Sequence, residues 1–202
     1  MAVKEGSVKE GHRQRQAQAT REQVAAAARR LFAERGYVAT TIAAIAEAAD
    51  IPAPTIYSAF GNKKKILDEV MELWIRGSGV RQEHAEALQD PDPAQRLRML
   101  AGWNARQFSH GLDVIETYEL AARSDSEMML AWRRVLAARE RVSREFLSSM
   151  EAHLAPGLDG AVDLFIALTQ PGVYRTLVVE RGWSTERFAG WLGDLFVAQL
   201  LR

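Results

Sequence analysis

Apolar residues recur at helical spacing through most of the chain from residue 20 onward. Val24, Ala27, Ala28, Leu31 and Phe32 fall at i, i+3, i+4, i+7 and i+8, which is one face of a helix. Thr20 with Gln23 reads as a capping box opening that helix, and Gly36 as the left-handed residue closing it. Ile42, Ile45, Ala46 and Ala49 repeat the spacing in a second helix that starts near Thr40 or Thr41. Pro52 ends it by disfavouring helical geometry at Ile51. A short third helix is expected over 52–60, with prolines tolerated in its first turn and Ile56 and Phe60 inward. Asn62 caps a fourth, expected over 63–76, which turns Ile66, Val70, Leu73 and Trp74 inward.

Beyond the Asp90-Pro91-Asp92-Pro93 loop the helical pattern resumes, and no strand-like alternation is visible. Helices are expected over 93–109, 112–123, 125–153, 159–181 and 184–201. Pro171, inside the fourth of these, should kink it and leave a carbonyl near Ala167 in need of a partner. The polar stretch 1–19, with Gly6 and Gly11, lacks the apolar groups to order itself. It is expected as a mobile basic arm, or simply an untidy terminus. The fold class is therefore all-α, divided as an arm 1–19, a small domain 20–66 and a larger domain 67–202.

The apolar fraction, 48% of 202 residues, fits one large domain or two small ones. No run of about 18 apolar residues is present, so no transmembrane helix is expected, and residues 1–6 lack the core of a signal peptide. Absence of cysteine excludes disulfides and thiol chemistry and fits a cytoplasmic protein. The formal net charge of zero hides an asymmetry. Residues 1–65 hold eleven Lys/Arg against six Asp/Glu, a net of +5, and the remainder carries −5; every lysine lies at or before Lys65. Either the charges cluster by chance or the N-terminal third meets a polyanion.

Two short helices joined by a tight turn, with a helix packed before them, form a helix-turn-helix pattern. Ala46 stands where the two helices approach, and Asp50 occupies a turn position that needs a left-handed backbone, which Asp tolerates better than most residues. The run Leu31-Phe32, Gly36-Tyr37, Thr40-Thr41-Ile42, Ile45-Ala46 is followed by Thr55-Ile56-Tyr57, Phe60, Asn62-Lys63 and Ile66-Leu67. Together these resemble the TetR/AcrR family of transcriptional regulators. The likeness covers residues 20–70. Departures are Asp50 for a usual turn glycine, Pro52 and Pro54 around Ala53, and Ala59 where an aromatic or His is common. The resemblance implies a homodimer of two-domain, roughly nine-helix subunits. The N-terminal helix-turn-helix domain would bind double-stranded operator DNA; the C-terminal helical domain would dimerise and take a small effector.

Residue chemistry agrees. Thr41 at a helix start and Lys63 in the first turn of the fourth helix are placed to hold phosphates. Thr55 and Tyr57 offer hydroxyls from the recognition helix. Pro52, Ala53, Thr55 and Ser58 would meet bases, the first two by apolar contact with thymine methyls. Each also has a plainer use: Thr41 as a cap, Tyr57 as a surface aromatic, the lysines as a solvated face.

In the acidic remainder Trp103, Gln107, Tyr118, Met128, Trp132 and Gln170 are the candidate effector contacts, on the rule that pockets are mostly apolar with a few directed polar groups. Met and Trp fill cores equally well. The last two helices carry Phe165, Leu168, Val173, Leu177, Val178, Trp183, Phe188, Trp191, Leu192, Leu195, Phe196 and Leu200. These are too many for one thin face, so a two-fold four-helix interface is expected. The four histidines lack metal-ligand spacing, and no nucleophile or phosphate-loop motif occurs. No catalytic residue, metal or cofactor is therefore expected. The reading is a DNA-binding repressor released by a small apolar or amphipathic effector. Its rivals are a regulator controlled by a protein partner and, more distantly, a helical enzyme keeping a vestigial DNA-binding domain.

Overall fold

A computed structural model describes the backbone of residues 3–202 and the side chains of residues 14–79 and 82–202. The chain divides into two compact units, residues 1–74 and 75–202. Among the described residues the structure is helical, apart from one isolated antiparallel bridge between Leu154 and Leu201.

The first unit holds α1 (Val3–Arg35), α2 (Ile42–Ala49), α3 (Ala53–Phe60) and most of α4 (Lys63–Gly77). Residues 3–19, expected as an arm, belong to α1. Their Lys, Glu, Arg and Gln are good helix formers, so the helix propagates past its last packed turn. Thr20 consequently sits mid-helix, and its hydroxyl donates back to the Gln16 carbonyl at 3.0 Å instead of capping. The core of the unit contains Val24, Ala28, Leu31, Phe32, Ile45, Ile56 and Phe60. α4 is tied to α1 through Arg21 and Glu69, which places the division at 74/75 and not at 66/67.

The second unit holds α5 (Val80–Ala87), α6 (Pro93–Ser124), α7 (Ser126–Ser148), a 3₁₀ turn (Glu151–His153), α8 (Gly157–Leu168), α9 (Pro171–Tyr174) and α10 (Thr185–Leu200). α6 joins the two helices expected over 93–123 into one element kinked at Gly111. The long helix expected over 125–153 stops at Ser148. The segment expected as one helix over 159–181 is broken. Gln170 precedes Pro171 and is extended (φ −69°, ψ 141°), so α8 ends and α9 begins anew, running on into a π-helical turn, Arg175–Glu180. α10 packs along α6, and α7 bridges α6 and α8.

This packing corrects the expected interface. Phe165, Phe188, Leu192, Phe196 and Leu200 are fully buried within the chain. Phe165 stacks on Phe196, and Phe188 meets Tyr174 edge-on at 5.0 Å. The last two expected helices together carry too many apolar residues for one thin face, and the structure covers part of that surface by packing α10 on α6. Leu168, Val173, Leu177, Val178, Trp183, Trp191 and Leu195 are only half-buried.

Candidate nucleic-acid interface

α2 and α3 are held as a rigid pair by bonds at the ends of the helices. Thr41 caps α2, its hydroxyl oxygen accepting from the Ala44 N–H at 3.1 Å. At the other end Asp50 is left-handed (φ 51°, ψ 44°), the only non-glycine residue with positive φ among those described. Its N–H donates toward Glu47 and Ala46, and the Ile51 N–H donates to Ala46 at 3.0 Å, so the carbonyls left at the helix end are satisfied. Gln23 of α1 donates to the Ala49 carbonyl at 2.7 Å.

α3 buries Ile56 and Phe60 and turns its other side outward. Pro52, Thr55, Tyr57 and Ser58 are exposed, Tyr57 by 55%, and Ala53 is half-buried. The outward side of α3 thus presents one aromatic ring and three hydroxyl groups to solvent. The far end of α3 is fixed by Arg21. Its Nη1 donates to the Ala59 carbonyl at 3.0 Å, its guanidinium lies 4.5 Å from the centre of the Phe60 ring, and Nε and Nη2 both bond the carboxylate of buried Glu69. Sequence reasoning missed Arg21 and Glu69, and assigned Gln23 to a capping box with Thr20 where it reaches the Ala49 carbonyl. The one available signal was Glu69, a carboxylate inside the apolar run Ile66, Leu67, Val70, Met71.

Lys63 has a different employment from the one expected. Its ammonium donates to the carbonyls of Tyr37 (2.7 Å), Thr40 (2.8 Å) and Val38 (3.2 Å), and lies 4.4 Å from the centre of the Tyr37 ring. Three donors meet three acceptors, so the side chain clamps the α1–α2 loop, and a phosphate would compete with these bonds. Burial lowers its pKa below the ordinary lysine value. What the start of α4 still offers an anion is backbone N–H: Asn62 accepts only from the Lys65 N–H, at 2.9 Å. Lys64 pairs with Asp68 at 3.5 Å, and Lys65 is exposed.

The residues expected to meet an effector lie apart. Trp132 and Gln170 line one cleft of about 330 Å³ between α6, α7 and α8, with Glu119, Leu136, Arg139, Glu140 and Ile166. Tyr118 is buried behind it, its ring 5.6 Å from that of Trp132. Met128 is a core residue. Trp103 packs edge-on against His84 at 5.0 Å, and Gln107 is half-buried and lines neither of the two clefts described here. The second cleft, about 460 Å³ between α5 and α6, is lined by Glu83, Glu86, Gln95, Arg98, Met99, Gly102 and Arg106.

Residues 24–70 match the family model described as "Bacterial regulatory proteins, tetR family". No curated protein matches the sequence. Among solved structures, the fatty acid degradation regulator FadR from Bacillus halodurans is similar at 20% identity, with 88% of this chain and 94% of that one covered and a TM-score of 0.73. A transcriptional regulator from Saccharomonospora viridis, in complex with choline, is 18% identical over 92% of this chain and 99% of its own, with a TM-score of 0.72. NalD, the secondary repressor of the MexAB-OprM multidrug efflux pump in Pseudomonas aeruginosa, is 20% identical over 92% and 98%, with a TM-score of 0.70. The helix-turn-helix formed by α2 and α3 thus lies inside the segment that matches the tetR family of bacterial regulatory proteins, and the solved regulators share the fold of the chain around it.

Proposed function

We propose that the chain is a homodimeric repressor that a small molecule releases from a two-fold operator. The observation that carries the DNA reading is the outward face of α3, where Thr55, Tyr57 and Ser58 are exposed while Ile56 and Phe60 anchor the helix. Pro52 and Ala53 at its start offer only apolar surface to bases. Sequence preference then comes largely from DNA shape and from the spacing of two half-sites. The half-buried Trp183, Trp191, Leu177 and Leu195, with Val179 63% exposed, supply an apolar face for a second subunit. The cleft holding Trp132 and Gln170 is within the size range of small-molecule sites. The repressor role of NalD and the choline held by the Saccharomonospora protein support effector control by likeness. In this reading ligand binding in the second unit changes the separation of two recognition helices through α4, whose residues span the 74/75 division.

The test begins with selection of operator duplexes from a random library on the full chain. Binding is then measured against salt. A negative log–log slope, modest per subunit, and a two-to-one protein:duplex stoichiometry are expected. Tyr57→Phe should weaken the selected duplex severalfold while leaving stability within about 0.5 kcal/mol, because the ring is exposed. A slope near zero, or one subunit per duplex, refutes the proposal.

A further inference from the structure

The α6–α7–α8 cleft has an electrostatic peculiarity that comes from the break before Pro171. Because Gln170 is extended, the Thr169 carbonyl is released from the helix ladder, and the Val173 N–H bonds Gln170 instead at 3.0 Å. Arg139 of α7 takes up the released group: its Nη2 donates to the Thr169 carbonyl at 2.6 Å and also bonds the Thr169 hydroxyl. Thr169 itself is fully buried. The break thus frees a carbonyl at Thr169, two residues beyond the Ala167 position expected from Pro171, and a side chain of the protein satisfies it.

That arrangement uses one nitrogen of a guanidinium and no negative charge. Among the described residues Arg139 has no ion pair, and its Nε and Nη1 have no hydrogen-bond partner. Burial pulls its pKa down to about 10. A planar fork with unused N–H groups at the wall of a cleft matches a carboxylate better than any other common ligand group. Beside it Trp132, Leu136 and Ile166 give the same cleft an apolar wall. Glu119 and Glu140 also line it, which makes a second negative charge on a ligand unfavourable.

We infer that this cleft binds a monoanionic amphipathic carboxylate, its carboxylate on the open side of the Arg139 guanidinium and its apolar body against Trp132, Leu136 and Ile166. This builds on the ligand-responsive reading of the second unit and names the chemical class of the ligand.

The probes are octanoate and 3-phenylpropanoate, each beside its matched alcohol and ammonium, titrated calorimetrically into the full chain without DNA. At least one carboxylate should bind, tenfold or more tighter than its alcohol and its ammonium. Arg139→Gln keeps a donor for the Thr169 carbonyl but loses the charge, and should abolish that preference. If that variant fails to fold by circular dichroism, Ile166→Trp, which fills the apolar end, should lose binding while keeping a native spectrum. Absence of binding by both carboxylates overturns the inference. So does equal or tighter binding of an alcohol or ammonium, or an unchanged preference in a folded Arg139→Gln protein. Operator release is read separately. Binding without release upholds the site and refutes effector control by it; release by an ammonium in place of a carboxylate upholds effector control and overturns the ligand class.

Discussion

Replacing Lys63 by methionine separates two roles for the one lysine that sequence pattern would assign to a phosphate. Methionine keeps the stem and its packing but removes the ammonium. The loss comprises two short charged hydrogen bonds, to Tyr37 and Thr40, a longer one to Val38, and the contact with the Tyr37 ring. Bonds from a charged donor contribute about 1.5–3 kcal/mol each where water is excluded. Lys63 is only half-buried, so water can reach the vacated carbonyls, and roughly 1 kcal/mol is a fair value for each short bond. The ring contact adds about 0.5 kcal/mol. The expected destabilisation is therefore about 2–3 kcal/mol, seen as a lower urea midpoint at unchanged slope, or as a fall in Tm of at least about 5 °C. Operator binding by the folded variant, measured from low to moderate salt, should keep the parent's log–log slope, because no phosphate contact has been removed. The opposite pattern refutes the reasoning: stability within about 0.5 kcal/mol of the parent, and a slope smaller by about 1, the signature of one lost lysine–phosphate pair.

Further outcomes follow from other contacts. Arg21→Met removes the guanidinium bonds to the Glu69 carboxylate, which is only 6% exposed, and should cost about 2–3 kcal/mol in urea unfolding; adding Glu69→Leu should recover much of it, since an apolar pair replaces a buried ion pair at little cost. Asp50→Ala should destabilise by about 1 kcal/mol, because alanine tolerates φ 51° less well, while Asp50→Gly should stay within about 0.5 kcal/mol. His84 packs between Trp103 and Phe146, and its pKa is lowered by burial against the opposing pull of Glu83 and Glu145. The unfolded chain therefore takes up a proton first, and stability present above about pH 6.5 should decline as pH falls toward the lowered folded value; His84→Gln should flatten that part of the stability–pH curve.

What the sequence made legible were the helices and the turn between α2 and α3, because both are written in local spacing. The stripe Val24, Ala27, Ala28, Leu31, Phe32 and the Asp50–Pro52 punctuation need no distant partner to be read. Where several helix ends are finished off, the partner lies far along the chain. Lys63 reaches a carbonyl 26 positions away, Arg21 a carboxylate 48 away, and Arg139 a carbonyl 30 away. No spacing rule reports such pairs. One miss was avoidable: the residue-before-proline rule that ended α2 at Ile51 applies equally to Gln170, and read there it gives a break where a kink was expected. The interface residues were misassigned for another reason. Apolar pattern shows how many sides of α10 want cover, but not which of them α6 covers.

The long-range polar contacts share one logic that bears on how the protein meets DNA. Arg21 donates to the end of α3, Gln23 to the end of α2, Lys63 to the loop following α1, and Arg139 to the residue after α8. Arg21, Gln23 and Arg139 meet carbonyls at or just beyond a helix C-terminus, where unsatisfied acceptors and the negative end of the dipole favour donors and cations, while Lys63 meets carbonyls along the loop between α1 and α2. Two of these donors, Arg21 and Lys63, are counted in the +5 of residues 1–65, yet their charge is spent inside the unit, and Lys64 has Asp68 beside it. The field that a duplex meets is accordingly weaker than the sequence charge implies. In the proposed complex, phosphate contacts then lean on backbone N–H at the starts of α2 and α4 and on hydroxyls, contacts that position the protein but release few counterions. A modest salt slope per subunit, smaller than the count of N-terminal lysines and arginines would give, is the consequence for the operator titration. In the proposed homodimer, a second subunit turns weak single grips into a usable affinity.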